Sequence, residues 1–307
     1  MLYCRIFITG PSAHLLAHEV GTALRGRTLS CELFPFSFVE FLVRRGIARR
    51  GSGVNRRLAL TKAWADYKEQ GGFPAVYDLP DATRKLIHRE YANALMLRDV
   101  IERYRVSQPL VLRHLATRML NGIGTLFSFR KVEEELKALG FAVGRDTVAQ
   151  YLKWLEDAYF LFTITVYTLS EARQARELRK VYCVDHALAN SLANGVLKNR
   201  GQVLENIVFV HLRRQTPQVC YYKTKNGHEV DFWATLPDGT QQAVQVCADM
   251  STPETRKREL RALQTAMAES GLQEGRVVTE NESETLQVPE GTIHLVPANV
   301  YLAEKVD

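Results

Sequence analysis

The residues whose types and spacing could do chemistry gather near the C-terminus. Gly227-His228-Glu229-Val230-Asp231-Phe232-Trp233 runs into a turn at Leu236-Pro237-Asp238-Gly239, and Gln242-Ala243-Val244-Gln245-Val246-Cys247 returns. Strand residues two apart point the same way, so Glu229 shares a side with Asp231, and Gln245 with Cys247. Carboxylates suit a hard divalent cation, and Glu205, on a helical run from Gly201 to Arg214, adds another; two such acids hold magnesium weakly, because that ion keeps several waters. Lys223 and Lys225 lie nearby. The returning strand offers less. A neutral amide is a poor ligand for such an ion, and a thiol brings no positive charge beside a phosphate.

Other candidates are weaker. His14 and His18 are four apart on one helical run, followed by Glu19, but no third ligand has a telling spacing. Five cysteines, Cys4, Cys31, Cys183, Cys220 and Cys247, have no CxxC spacing and read as reduced, packed thiols. No GxxxxGK[ST] occurs, so no backbone nest or lysine is present to cradle phosphates. As written, the chain is expected to hydrolyse no ATP and to need no cofactor.

These groups need elements to position them, and the chain of 307 residues, 46% hydrophobic and 24% charged, is long enough for two or three domains. No apolar run approaches the roughly 18 residues that cross a bilayer, and the first eight residues are too short for a secretory signal, so a cytoplasmic location without membrane contact is expected. Arg5 to Gly10 reads as a strand, and Ser12 caps a helix reaching about Leu24. Thr28 to Leu33 reads as a second strand, and Phe34 to Leu42 follows as a helix. Six arginines between Arg44 and Arg57 alternate with glycines and small residues, which reads as a mobile basic loop. Helices follow from about Leu58 to Arg105, broken at Gly71-Gly72-Phe73-Pro74.

From Pro109 to Asp157 the pattern gives three short helices, the second starting near Ser128 and the third near a capping Asp146. Two β-rich runs come next, Tyr159 to Tyr167 and Lys180 to Asp185. Three helices followed by a hairpin is the layout of a winged helix. Arg145, Thr147, Gln150 and Lys153 would sit where recognition residues enter a major groove, and Arg173, Arg176, Arg179 and Lys180 on a wing suited to phosphates. A lid that packs between domains is the alternative use of such a unit. The net charge of +6 is compatible with DNA, a protein partner or a second copy of the chain. The remainder reads as helix (Gly201 to Arg214), strand (Val219 to Thr224), the two hairpin strands, helix (Thr255 to Glu269), strand (Arg276 to Thr279) and a C-terminal run Ile293 to Pro297.

The hairpin around Asp231 resembles the metal-binding hairpin of the PD-(D/E)xK nucleases, in which an acid ends one strand and the next carries Glu/Asp-x-Lys. By that resemblance Gln245 and Cys247 occupy the acid and lysine places, and Glu205 matches an acid that many such nucleases supply from the first helix. The whole chain is similar to a prokaryotic family of AAA-type ATPases with a winged helix and a C-terminal domain of nuclease-like fold. The residues that carry the likeness are Arg5-Ile-Phe-Ile-Thr-Gly, Leu24-Arg-Gly-Arg, Phe34-Pro-Phe-Ser-Phe-Val-Glu-Phe-Leu, Gly71-Gly-Phe-Pro, Arg98-Asp-Val-Ile-Glu-Arg-Tyr, Tyr151-Leu-Lys-Trp-Leu-Glu-Asp-Ala-Tyr, Gly201-Gln-Val-Leu-Glu-Asn and Glu229-Val-Asp-Phe.

What the resemblance implies is an α/β multi-domain chain: a partial P-loop ATPase remnant (1–57), a helical lid-like segment (58–107), a winged helix (108–190) and a restriction-endonuclease-like αβββαβ domain (198–307). Thr9 would stand where such ATPases sense a γ-phosphate, and Arg25 or Arg27 where an arginine reaches nucleotide or a neighbouring subunit. Without the P-loop these are remnants, and the chain resembles a member lacking roughly its first hundred residues, by truncation or a late start codon. ATP and magnesium enter only with an upstream P-loop domain. The expected function is nucleic-acid or protein binding on a catalytically degraded nuclease-like domain, with a nuclease of migrated active site as the alternative.

Overall fold

The computed structural model describes residues 29, 31–47, 53–168, 170, 172, 174, 177–192 and 200–304. Helix α1 (Phe38–Arg44) starts at a capping box: Ser37 Oγ accepts from the Glu40 amide, and the Glu40 carboxylate accepts from the Ser37 amide. Its Phe38, Phe41 and Leu42 are buried, with Phe38 against Trp64 and Tyr67 and Phe41 against Tyr67 of α2 (Val54–Gln70). Helix α2 stops at Gly71 (φ 75°), where a Cβ would run into the Asp185 carboxylate, and Gly72 N donates to that carboxylate at 2.6 Å. The glycine pair thus lets the backbone reach a buried acid. Helix α3 (Asp81–Ala94) continues into a π-helical stretch, Leu95–Glu102.

Helices α4 (Pro109–Asn121), α5 (Phe129–Ala138) and α6 (Arg145–Asp157) come next, and α5 starts where Ser128 accepts from Lys131 N. Strands β1 (Leu161–Ile164) and β2 (Lys180–Cys183) pair antiparallel, and the segment between α4 and α5 joins them through bridges from Ile123 to Val181 and from Phe127 to Arg179. Helix α7 (His186–Leu192) leads towards α8 (Arg200–Gln215).

A six-stranded mixed sheet completes the fold. Its strands are β3 (Val219–Lys223), β4 (Glu229–Thr235), β5 (Gln241–Val246), β6 (Glu274–Thr279), β7 (Glu284–Val288) and β8 (Gly291–Pro297), in the order β3-β4-β5-β6-β8-β7. The first three run antiparallel, while β5, β6 and β8 are parallel. Helix α9 (Pro253–Ser270) lies between β5 and β6 in the chain, and α10 (Ala298–Tyr301) follows β8. One apolar core runs from α1 through the three-helix unit to α8 and Phe232 and Val244 of the sheet. A second, with Val230, Trp233, Leu263, Met267 and Val277, lies under α9.

The chain is therefore mixed α/β, and several local expectations change. Cys31 to Leu33 form no strand. Of the basic Arg44–Arg57 stretch, Arg44 closes α1 and pairs with Asp78, Arg45 to Ile47 turn away from it, Arg56 and Arg57 belong to α2 rather than to a loop, and 48–52 lie outside the described residues. Gly144, not Asp146, holds the cap position of α6, without a side-chain bond. Among the described residues no helix is long and apolar enough to cross a membrane.

Candidate functional site

The site begins with an irregularity in β4. Cys220 faces Trp233 but Tyr222 faces Val230, so β4 carries one residue more than β3 between these pairs, which is a β-bulge. It lets two consecutive residues engage the elements on the α8 side. Phe232 packs on Tyr182 and Phe209, and the Asp231 carboxylate reaches Lys180. Pairing of β4 with β5 reaches Phe232 and Val244, and beyond it side chains join the two strands. Asp231 N donates to Gln245 Oε1 at 3.1 Å, and Val246 N donates to Asp231 Oδ2 at 2.9 Å.

Lys180 opens β2 and is only 2% exposed. Its Nζ lies 2.7 Å from Glu229 Oε1, 2.9 Å from Asp231 Oδ1 and 3.3 Å from Glu205 Oε1. Tyr182, two residues on and stacked on Phe209, donates its hydroxyl to Glu205 Oε1 at 2.8 Å. Asn206, beside Glu205 on α8, exchanges two hydrogen bonds with the Cys183 backbone. Gly124 sits against the Glu205 carboxylate so closely that a Cβ would collide with it. Strand β2 is thus bound to α8 and β4 by a buried network that uses one ammonium and three carboxylates.

Burial and the Asp231 charge push the Glu205 carboxyl up to about 7, against the pull of Lys180 and the Tyr182 hydroxyl. Burial also disfavours the Lys180 ammonium, but Asp231, Glu205 and Glu229 outweigh it and hold its pKa well above the ordinary value. Among the described residues no group of three or more His, Cys, Asp or Glu side chains is spaced to hold a metal ion. The acids converge on an ammonium instead.

Of the residues singled out in the sequence, Glu205, Glu229 and Asp231 come together, while Gln245 and Cys247 do other work. Gln245 Nε2 donates to buried Glu259 at 2.6 Å, so the amide ties α9 to the Asp231 backbone. Cys247 Sγ donates to Asp249 O, and burial and Glu259 push the thiol up to about 11. Lys223 pairs with Glu177, and the Lys225 backbone N donates to Glu269. The lysine that meets the acids is Lys180, and its reading as a phosphate contact on the wing is corrected by its burial among them. The signal that could have found it is a lone lysine opening the apolar run Val181-Tyr182-Cys183.

On α6, Arg145, Gln150 and Lys153 are exposed and Thr147 is half-buried, while Val148, Tyr151, Leu152 and Leu155 face the core. Arg173 and Arg176 lie outside the described residues, as do Thr9, Arg25, Arg27, His14 and His18. Beside α6 an open cleft of about 540 Å³ is bordered by Lys153, Arg179 and Arg213 and by Phe129, Tyr159 and Phe162.

Comparison with known proteins places three family models along the chain: an AAA domain at residues 2–42, a domain of unknown function (DUF8612) at 61–199 and another (DUF4143) at 200–301. The uncharacterized protein MJ1544 of Methanocaldococcus jannaschii is 31% identical over 306 residues, which cover 95% of this chain and 67% of that protein. An uncharacterized protein of Haemophilus influenzae is 27% identical over 233 residues, 76% of this chain and 56% of that one. No solved structure matches at a significant level.

Proposed function

The chain belongs to the same family as the archaeal protein MJ1544, and within this ATPase-related family we propose that it is a non-hydrolytic nucleic-acid-binding module. Residues 108–190 are read as a winged helix and 198–307 as a nuclease-like domain whose acidic site has become a staple. The observation that carries this reading is the Lys180 ammonium within 3.3 Å of all three acids. Metal-dependent hydrolysis needs those oxygens free for a cation that lowers the pKa of water, and an ammonium does not do that. Support for nucleic acid comes from the exposed Arg145, Gln150 and Lys153 on α6, types that contact phosphates and base edges.

One observation favours a second reading. Three carboxylates and a lysine are also the parts of a metal-dependent nuclease, brought together here from three separate elements. Two assays separate the readings. Fluorescence anisotropy with labelled duplex DNA should show binding that weakens steeply between about 50 and 200 mM salt. Binding without salt dependence, or none at low salt, contradicts the nucleic-acid proposal. Plasmid incubated with magnesium or manganese should stay intact; cleavage that Asp231→Ala abolishes establishes the nuclease instead.

A further inference from the structure

The cleft beside α6 is lined by cations, of which Arg179 lies near enough to Glu156 to pull its pKa down against the rise from burial, and Lys153 stands exposed. Lys153 projects from α6, and Arg179 lies over the Phe129 ring at 5.1 Å from its centroid. Neither forms an ion pair with a described residue. The half-buried rings of Phe129, Tyr159 and Phe162 border the cleft, Tyr159 and Phe162 packing edge to face with centroids 5.7 Å apart. Tyr159 adopts φ 55°, a left-handed conformation that a bulky residue seldom takes. A volume of about 540 Å³ falls in the range of roughly 300–1,000 Å³ typical of ligand sites.

The third cation is already occupied. Both terminal nitrogens of the Arg213 guanidinium donate to Glu32 at 2.7 Å, and the Tyr159 hydroxyl donates to the same carboxylate at 2.5 Å. A planar fork on two anionic oxygens is also how arginine takes a phosphodiester. Two further acids line the cleft but are engaged: Glu156 accepts from Thr163 N and Oγ1, and Asp157 accepts from the Tyr104 hydroxyl.

We propose that this cleft takes one unstacked nucleotide of a single strand, with its phosphate on Lys153 and Arg179 and its base against the Phe129, Tyr159 and Phe162 rings. Glu32 acts as an internal phosphate mimic that competes for Arg213. The proposal rests on the nucleic-acid reading above and narrows it to single strands. Charge supplies the attraction and ring stacking the tolerance of any base.

The test is anisotropy with a fluorescein-labelled oligothymidine and a duplex of equal length, using the full chain and thermal melting to confirm folding. Lys153→Glu and Phe129→Ala should each weaken single-strand binding about tenfold, and Glu32→Gln should tighten it severalfold by freeing the Arg213 fork. Single-strand binding unchanged by folded Lys153→Glu and by Glu32→Gln overturns the cleft while leaving nucleic-acid binding elsewhere intact. Binding that Lys153→Glu abolishes but Phe129→Ala leaves unchanged overturns the stacked base. Absence of salt-dependent binding to either probe overturns this proposal together with the reading it rests on.

Discussion

The Lys180 cluster and the α6 cleft are built from the same residue types, a basic group among acids with a tyrosine hydroxyl alongside, yet they have opposite uses. In the cluster Lys180 is 2% exposed and meets three carboxylates, so the charges satisfy one another and hold β2 to α8 and β4. In the cleft Lys153 is exposed and has no described acid partner. Breaking a buried ion pair leaves an unpaired charge in a low-dielectric interior, whereas an exposed pair contributes little to stability. Burial, more than composition, therefore decides that one region is structure and leaves the other as the proposed binding surface.

The difference can be broken from the buried side first. Asp231→Ala leaves the Lys180 ammonium with a weaker set of partners and orphans the Val246 amide. A loss of about 3–5 kcal/mol in urea denaturation is expected. Next in size is a pH effect. The Glu205 carboxyl is raised from 4.5 to about 7 by burial and Asp231, so the folded state holds a proton that the unfolded state has released. The contribution is therefore fully present below pH 4.5 and is lost as pH rises towards 7, an effect of the order of 3 kcal/mol. Glu205→Gln should flatten that slope in denaturation midpoints taken across the window.

A smaller effect tests whether the nuclease can be restored by one residue. Gln245→Glu puts a carboxylate where the amide now donates to Glu259, so a destabilisation of about 1–3 kcal/mol and no plasmid cleavage are expected. Cleavage by that variant would show that the acidic cluster is closer to catalysis than its bonding implies. The smallest effect belongs to the cleft: Lys153→Ala should change stability by less than about 0.5 kcal/mol and yet weaken DNA binding in anisotropy.

The hairpin of Asp231 was legible because alternation and the Pro237-Asp238-Gly239 turn are local signals, and Ser128 marked α5 for the same reason. The order of helices and strands after α8 could also be read, except for β7, a half-exposed edge strand of only Glu284–Val288, and the one-turn helix α10. The content of the site was not legible. Lys180 meets Glu205 and Asp231 across 25 and 51 residues, and it is seated beside arginines that made it look like part of a basic wing. The bulge that sends both Asp231 and Phe232 towards the α8 side breaks the two-residue alternation on which the sequence argument relied. The tasks of Gln245 and Cys247, a tie to Glu259 and a bond to Asp249, depend on α9 and a loop that alternation does not place.

The most direct measurement is the urea denaturation of Lys180→Met at neutral pH. A staple requires that removing the ammonium leave the clustered acids Glu205, Glu229 and Asp231 without a counter-charge, and a loss of about 3–5 kcal/mol is expected. A catalytic lysine held at a cost to folding would give the opposite result: unchanged or increased stability would contradict the staple.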